Sequence, residues 1–341
     1  MGLPSAILVA ELNLWCVPHA QTKTSFTPLK NMKRRDFLGV AAAGTGALAF
    51  NALSASAEET RSKPPKPVSK DPVAMIPLTK DITCSRIGFG TGMRGGSRQS
   101  DLVRYGWAKS IGLLQYAYDR GIRLIDSADM YGSHFIIREA MRGKPRDSYT
   151  LITKLWLHPG GLPERERLRP DETLPRFLRE LGTDYIDVVK IHCMMNGAWK
   201  TQFEDAVANL EELKKRGYIR AHGISSHSNI ATELAAATPW CDVVSVCINT
   251  IGYRMDGPRG DVPGMIAQTV KATKAAHEAG IGTVAMKILG EGQGVMATNP
   301  EVRKESTTLV TQLDCIDVMI AAFSENSHID EFIDNVTAAL A

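Results

Sequence analysis

The chain has 341 residues, 44% of them hydrophobic and 23% charged, with a formal net charge of +3. That is enough apolar material for a sizeable core, and a charge too balanced to call for nucleic acid or an acidic surface as partner. The six cysteines (Cys16, Cys84, Cys193, Cys241, Cys247, Cys315) contain no CxxC pair and the chain has no HExxH motif, so no zinc, redox-disulfide or other metal centre is expected. The cysteines read as buried thiols, with disulfides the alternative if the chain is exported.

Residues 1–31 show no periodicity, and Met32 stands just before a basic stretch, so this segment is expected to be a mis-assigned extension. Lys33-Arg34-Arg35-Asp36-Phe37-Leu38 then precedes an alanine-rich apolar run from Val40 to Phe50 and the small residues Ala55-Ser56-Ala57. This pattern reads as a twin-arginine signal over residues 32–57, cleaved after Ala57, which sends the protein to the periplasm or beyond. A basic linker before a helix is the plainer alternative. The apolar run is too short to span a bilayer, so the mature form is expected to have no membrane span. Residues 58–74, charged and proline-rich, read as a flexible tether unable to fold alone. Residues 75–341 then have the size of one barrel domain.

Within that domain, residues 75–84 predict a hairpin closing the amino-terminal mouth. Apolar strands follow at 85–92, before Asp126, at 149–153 and 185–191, and then at 219–228, 241–250, 282–286 and 315–323. Helices are predicted up to Tyr118-Asp119-Arg120 with Gly121 as the stop, and near 134–142, 171–181, 201–216, 264–279 and 327–340. Strands alternating with helices, with polar residues recurring at strand carboxyl ends, predict an α/β fold: a (β/α)8 TIM barrel with an N-terminal β-hairpin.

The most informative stretch is GIRLIDSADMYG, where Asp126 and Tyr131 stand at the end of a short strand. A tyrosine donates a proton usefully only when neighbours ease its ionisation, and a lysine held by a carboxylate would do that. Lys154 and His192 end the next two strands. The order Asp126, Tyr131, Lys154, His192, with SRIGFGTG at 85–92, IRAHGISSHS at 219–228 and AMKILGEG at 285–292, resembles the aldo/keto reductase family over about residues 80 to 335.

The resemblance implies a carbonyl reductase or alcohol dehydrogenase using NADP or NAD, with an aldehyde, ketone or sugar-derived carbonyl as the small-molecule substrate. Tyr131 would be the acid and base, Lys154 would favour phenolate, Asp126 would position Lys154, and His192 would orient the carbonyl. Trp156 would line the substrate mouth, core packing being its alternative, and Trp107, Trp199 and Tyr253 could border the pocket. The cofactor would meet Ser225, Ser226, Ser245, Met286, Lys287, Gly290, Gly292, Ser324 and Asn326. Four departures stand out. Ser226 replaces an asparagine and Ser245 a glutamine at the nicotinamide. Glu325 replaces the arginine that meets the 2′-phosphate, which makes NADP preference doubtful. His134 replaces a glutamate after YG. GTGMRG at 90–95 fits GxGxxG but reads as turn glycines, and His158, His222 and His227 read as structural. The weakened cofactor positions keep a second reading open, a non-catalytic nucleotide-binding or sensing barrel. Export leaves room for a redox partner that re-reduces bound nucleotide. Substrate identity and oligomeric state are not encoded in any motif found.

Overall fold

The computed structural model describes residues 63–162, 169–256 and 264–341. The expected extension, the signal and the first part of the tether lie outside them. An antiparallel pair, β1 (Met75–Pro77) and β2 (Thr83–Ser85), precedes eight parallel strands: β3 (Ile87–Gly90), β4 (Leu124–Asp126), β5 (Thr150–Leu155), β6 (Ile186–Met194), β7 (Ile219–Ser226), β8 (Val243–Cys247), β9 (Gly282–Met286) and β10 (Val318–Ala321). They close in sequence order, with β10 pairing β3 and β9. Buried on both faces, these strands are mostly apolar, with Val188, Val189, Ile191, Val243 and Val244 all solvent-excluded and Lys190 and Ser245 as buried polar insertions. Each such side chain contributes roughly 1.5–3 kcal/mol by leaving water.

A helix follows each barrel strand: α1 (Trp107–Asp119), α2 (His134–Ala140), α3 (Pro170–Leu181), α4 (Glu204–Lys215), α5 (Asn229–Ala236), α6 (Ile266–Glu278), α7 (Pro300–Thr311) and α8 (Asn326–Leu340). The sequence reading foresaw all but α5 and α7. Helix α7 hides its apolar face behind hydroxyls: Ser306, Thr307 and Thr311 are buried and bond to backbone carbonyls. Its start was nonetheless readable, since the Asn299 side chain accepts from Glu301 N and Pro300 opens the helix. Helix α5 is short and alanine-rich, so its pattern is weak. The single helix expected over 201–216 is broken at Phe203 into Trp199–Gln202 and α4.

The β1–β2 hairpin packs on the amino-terminal end of the barrel. A Cβ on Gly282, the first residue of β9, would collide with the Leu78 carbonyl, so only glycine lets the hairpin seat this closely. Residues 63–74, read as a tether, carry neither helix nor strand, and Lys63 and Lys66 fasten the segment to the same end. Lys63 pairs with buried Asp317 and donates to the Ile281 carbonyl at 3.1 Å. Lys66 donates to the Ile316 carbonyl at 2.8 Å. Cys84, Cys193, Cys241, Cys247 and Cys315 form no disulfide among the described residues, and all but the partly exposed Cys193 are buried.

Candidate active site

The site lies at the carboxyl ends of the barrel strands, and strand register assembles it. Asp126 ends β4, Lys154 stands near the end of β5, and His192 lies two residues before the end of β6. Tyr131 closes a short 3-10 turn, Asp129–Tyr131, after β4. The Tyr131 hydroxyl is 3.2 Å from His192 Nε2, and the two rings meet edge to face. Lys154 Nζ is ion-paired with Asp126 Oδ1, donates to the Ser127 carbonyl at 2.7 Å, and sits 5.2 Å from the centre of the Tyr131 ring. The four residues read from the sequence thus converge.

Burial sets the electrostatics. It is the largest influence on the Tyr131 phenol, and with the Asp126 and Glu291 carboxylates it holds that phenol well above its ordinary value of 10. The expected easing of ionisation by Lys154 is therefore outweighed, and the hydroxyl keeps its proton. Burial, joined by the Lys154 charge, holds His192 well below its usual range, so the imidazole is neutral. Within the quartet, two buried atoms have no hydrogen-bond partner, Asp126 Oδ2 and His192 Nδ1.

Beside the quartet opens a cavity of about 300 Å³. Its walls include Asp126, Tyr131, Met286, Lys287, Gly292 and Ser324 among the residues expected from the sequence. Gly290 and Asn326 belong to the same segments but are not on the wall. Ser225, Ser226 and Ser245 are also off the wall. The Ser225 hydroxyl accepts from the Cys193 amide at 2.8 Å, Ser226 donates to the Ser228 carbonyl at 2.7 Å, and Ser245 accepts from Lys190 Nζ at 2.5 Å. Trp156 packs edge-on to His192, ring centres 5.3 Å apart, with its indole N–H on the Gly160 carbonyl at 2.6 Å. Trp199 is core, its N–H on the Ala231 carbonyl, and Trp107 is half exposed. Tyr253 does approach the site, donating to Glu291 at 3.1 Å.

His134 replaces the expected charge by recruiting another: its Nδ1 lies 2.8 Å from Glu180 on α3, and Nε2 lies 2.8 Å from Thr153, next to Lys154. Glu325 is countered by Lys109, 2.5 Å away. His158 Nε2 meets the His192 carbonyl at 3.0 Å, while His222 stacks on Trp240 and lies 3.1 Å from Glu211, off the cavity wall.

Sequence reasoning missed Glu291, Arg303, His328, Glu331 and Asn335, all on the cavity wall. Arg303 belongs to the unforeseen α7. His328, Glu331 and Asn335 recur at helical spacing in the predicted last helix, a polar stripe that was the available signal. The glycines of GTGMRG, set aside as turn residues, include Gly90 and Gly92 of the same wall.

A closed parallel barrel that brings Asp126, Tyr131, Lys154 and His192 together on its carboxyl face defines a class of α/β enzyme-like barrels, and comparison gives the family. The aldo/keto reductase family profile matches residues 86–330, and the chain belongs to that family. It is 35% identical over 170 residues to the NADH-specific methylglyoxal reductase of Escherichia coli, covering 44% of this chain and 51% of the relative. It is 34% identical over 158 residues to aldo-keto reductase YhdN of Bacillus subtilis, covering 43% and 45%. The chain spans about half the length of the curated relatives it matches. Among solved structures, the aldo/keto reductase of Klebsiella pneumoniae in complex with NADP and acetate superposes with a TM-score of 0.54 at 19% identity, covering 75% of this chain and 87% of that one. The aldo-keto reductase AKR11C1 of Bacillus halodurans, in its holo form, gives 0.55 at 19%, covering 75% and 88%. At such identity these likenesses establish the fold.

Proposed function

We propose that the protein is an NAD(P)-dependent oxidoreductase that reduces an aldehyde, ketone or sugar-derived carbonyl to an alcohol. The observation that carries this reading is the Tyr131 hydroxyl set against His192 Nε2, with the Asp126-bound Lys154 over the same ring. The cavity suits a dinucleotide: Met286 and Phe323 offer flat apolar wall, Lys287 and Arg303 offer cations, and Ser324 opens the approach to α8. Once bound, that cofactor supplies the hydride. Tyr131, kept protonated by burial, donates its proton to the substrate oxygen, and the neutral His192 contributes an N–H to the same oxygen. The Lys154 cation stabilises the phenolate left behind, and Asp126 fixes where that cation points.

Small 2-oxoaldehydes head the substrate panel because the E. coli relative is named for methylglyoxal. That relative's NADH specificity agrees with Glu325, a carboxylate unfavourable to a 2′-phosphate. Fluorescence titration with NADH and NADPH, followed by turnover on a carbonyl panel, tests the reading. Tyr131→Phe should cost on the order of 10³-fold in kcat and leave nucleotide binding near normal; an unchanged rate rejects the role of Tyr131. The internally engaged hydroxyls of Ser225, Ser226 and Ser245 favour the second reading, a non-catalytic nucleotide-binding or sensing barrel, and binding without turnover on every carbonyl would select it.

The Arg34-Arg35 motif supports export through the twin-arginine route, which carries folded proteins. In this reading the protein leaves with nucleotide bound and a redox partner re-reduces it. Fractionation of the wild type against an Arg34→Lys, Arg35→Lys pair tests the route: both proteins in the cytoplasm would refute it. Nucleotide retained on the exported protein, identified by mass spectrometry, tests the rest.

A further inference from the structure

Lys190 is a second buried lysine inside the barrel. On β6 its Cα is in register with Lys154 of β5 on one side and Gly223 of β7 on the other, and Lys190 and Lys154 are 0% and 1% exposed. Neighbouring strands lie about 4.8 Å apart, so two primary amines occupy adjacent places inside the barrel. Asp126 is the carboxylate of that region. Its Oδ1 holds Lys154, while its buried Oδ2 has no hydrogen-bond partner. Lys190 Nζ instead meets the neutral Ser245 hydroxyl on β8 at 2.5 Å.

The groups acting on Lys190 come from several elements. Burial is the strongest and disfavours its charge; Asp126 on β4 favours it; Lys154 on β5 opposes it; Cys241, ahead of β8, and Cys84 on β2 favour it weakly. Gly223 on β7 carries no charge. The balance brings the Lys190 amine down to about 7, where it exchanges a proton near neutral pH.

We propose that Lys190 is a positioning residue of the tyrosine site, a second amine that shares the Asp126 carboxylate with Lys154 and thereby governs how strongly the Lys154 cation bears on Tyr131. The proposal rests on the oxidoreductase reading above. When Lys190 Nζ takes up a proton, the carboxylate's charge is divided between two cations. Lys154 is then less neutralised, the surroundings of the phenol become more positive, and Tyr131 releases its proton more readily. When Lys190 is neutral, Asp126 belongs to Lys154 and the phenol holds its proton harder. A lysine that only fills space would leave no trace in the pH profile.

The test compares kcat across pH for the wild type and Lys190→Met, alongside side-chain nitrogen NMR of the lysines. Wild-type kcat should fall several-fold as pH rises from about 6 to about 8, and Lys190→Met should be flat over that range with KM little changed. One lysine amine should titrate near neutral pH, vanish in Lys190→Met, and move down by on the order of one pH unit in Asp126→Asn. Should Lys190→Met fail to fold, Lys190→Gln keeps a polar contact with Ser245 and is read in the same way. A pH limb that survives in the variant, or an amine midpoint that Asp126→Asn leaves in place, overturns the proposal. The NMR arm needs no turnover, so a protein inert toward every carbonyl would refute the oxidoreductase reading separately.

Discussion

The ring of Tyr131 lies against the bare α-carbon of Gly92. A Cβ on Gly92 would collide with the ring's Cε2 and Cζ, and one on Gly95 would come 2.5 Å from Cδ1. The loop after β3 therefore fixes the plane of the phenol whose hydroxyl faces His192.

Gly92→Ala should accordingly displace the Tyr131 ring. A reacting group moved by a fraction of an ångström loses alignment, so kcat should fall by on the order of tenfold or more. Overpacking should also lower stability by about 1–3 kcal/mol. Steady-state kinetics and chemical denaturation of the variant measure both; a wild-type kcat would show that the ring has room to yield.

Glu291 is a wall carboxylate held at a left-handed φ of +54°. It is ion-paired with Lys287, accepts from the Tyr253 hydroxyl at 3.1 Å and lies 3.8 Å from Arg254 Nε. A dinucleotide's diphosphate has the same sign of charge and is drawn to the same cations. Glu291→Gln should tighten nucleotide binding by roughly 3- to 10-fold at low salt, with the gain shrinking as salt rises. Titrations at two ionic strengths decide this; equal or weaker binding by the variant would contradict it.

His227 is buried beside Cys247, its Nδ1 3.5 Å from the sulfur, and burial lowers it from 6.5 to about 3. The unfolded chain thus binds the proton through the window from about 6.5 down to about 3 while the folded protein does not. The unfolded state holds more protons there, so stability rises with pH across the window and is lost on acidification. His192, shifted the same way, adds to the slope. Melting temperature against pH should climb through this range, and His227→Gln should climb less steeply. Identical slopes would mean His227 does not titrate as a buried neutral base.

Lys63 reaches from outside the barrel to Asp317, whose Oδ2 also accepts the Thr283 amide at 2.7 Å and whose Oδ1 is 3.4 Å from His277 Nδ1. Removing the cation leaves a buried carboxylate with fewer partners. Lys63→Ala should destabilise by about 2–4 kcal/mol, with His277 moderating the loss. A denaturation midpoint equal to the wild type would show that residues 63–74 are not fastened in solution.

Much of this molecule was readable from local pattern. Alternating apolar runs and turn glycines place the eight strands in order, and the strand-end polar residues Asp126, Lys154 and His192 declare the site, because a barrel strand's direction decides which of its ends faces the chemistry. The start of α7 at Asn299-Pro300 was legible too and was passed over, since its buried side chains are hydroxyls that satisfy themselves on backbone carbonyls.

What the chain's order alone settled is thus the barrel and its hairpin, and it singled out four side chains that the fold brings together. Tertiary structure decided the rest: that Ser245 is taken by Lys190, 55 residues away, that Glu325 is answered by Lys109, 216 residues away, and that Gly92 exists to seat a tyrosine. Such partners are chosen by which residues the register of parallel strands brings to the same layer and by which helices stand side by side around the barrel, and burial then fixes their charge. Neither register nor burial is a property of any short stretch of sequence.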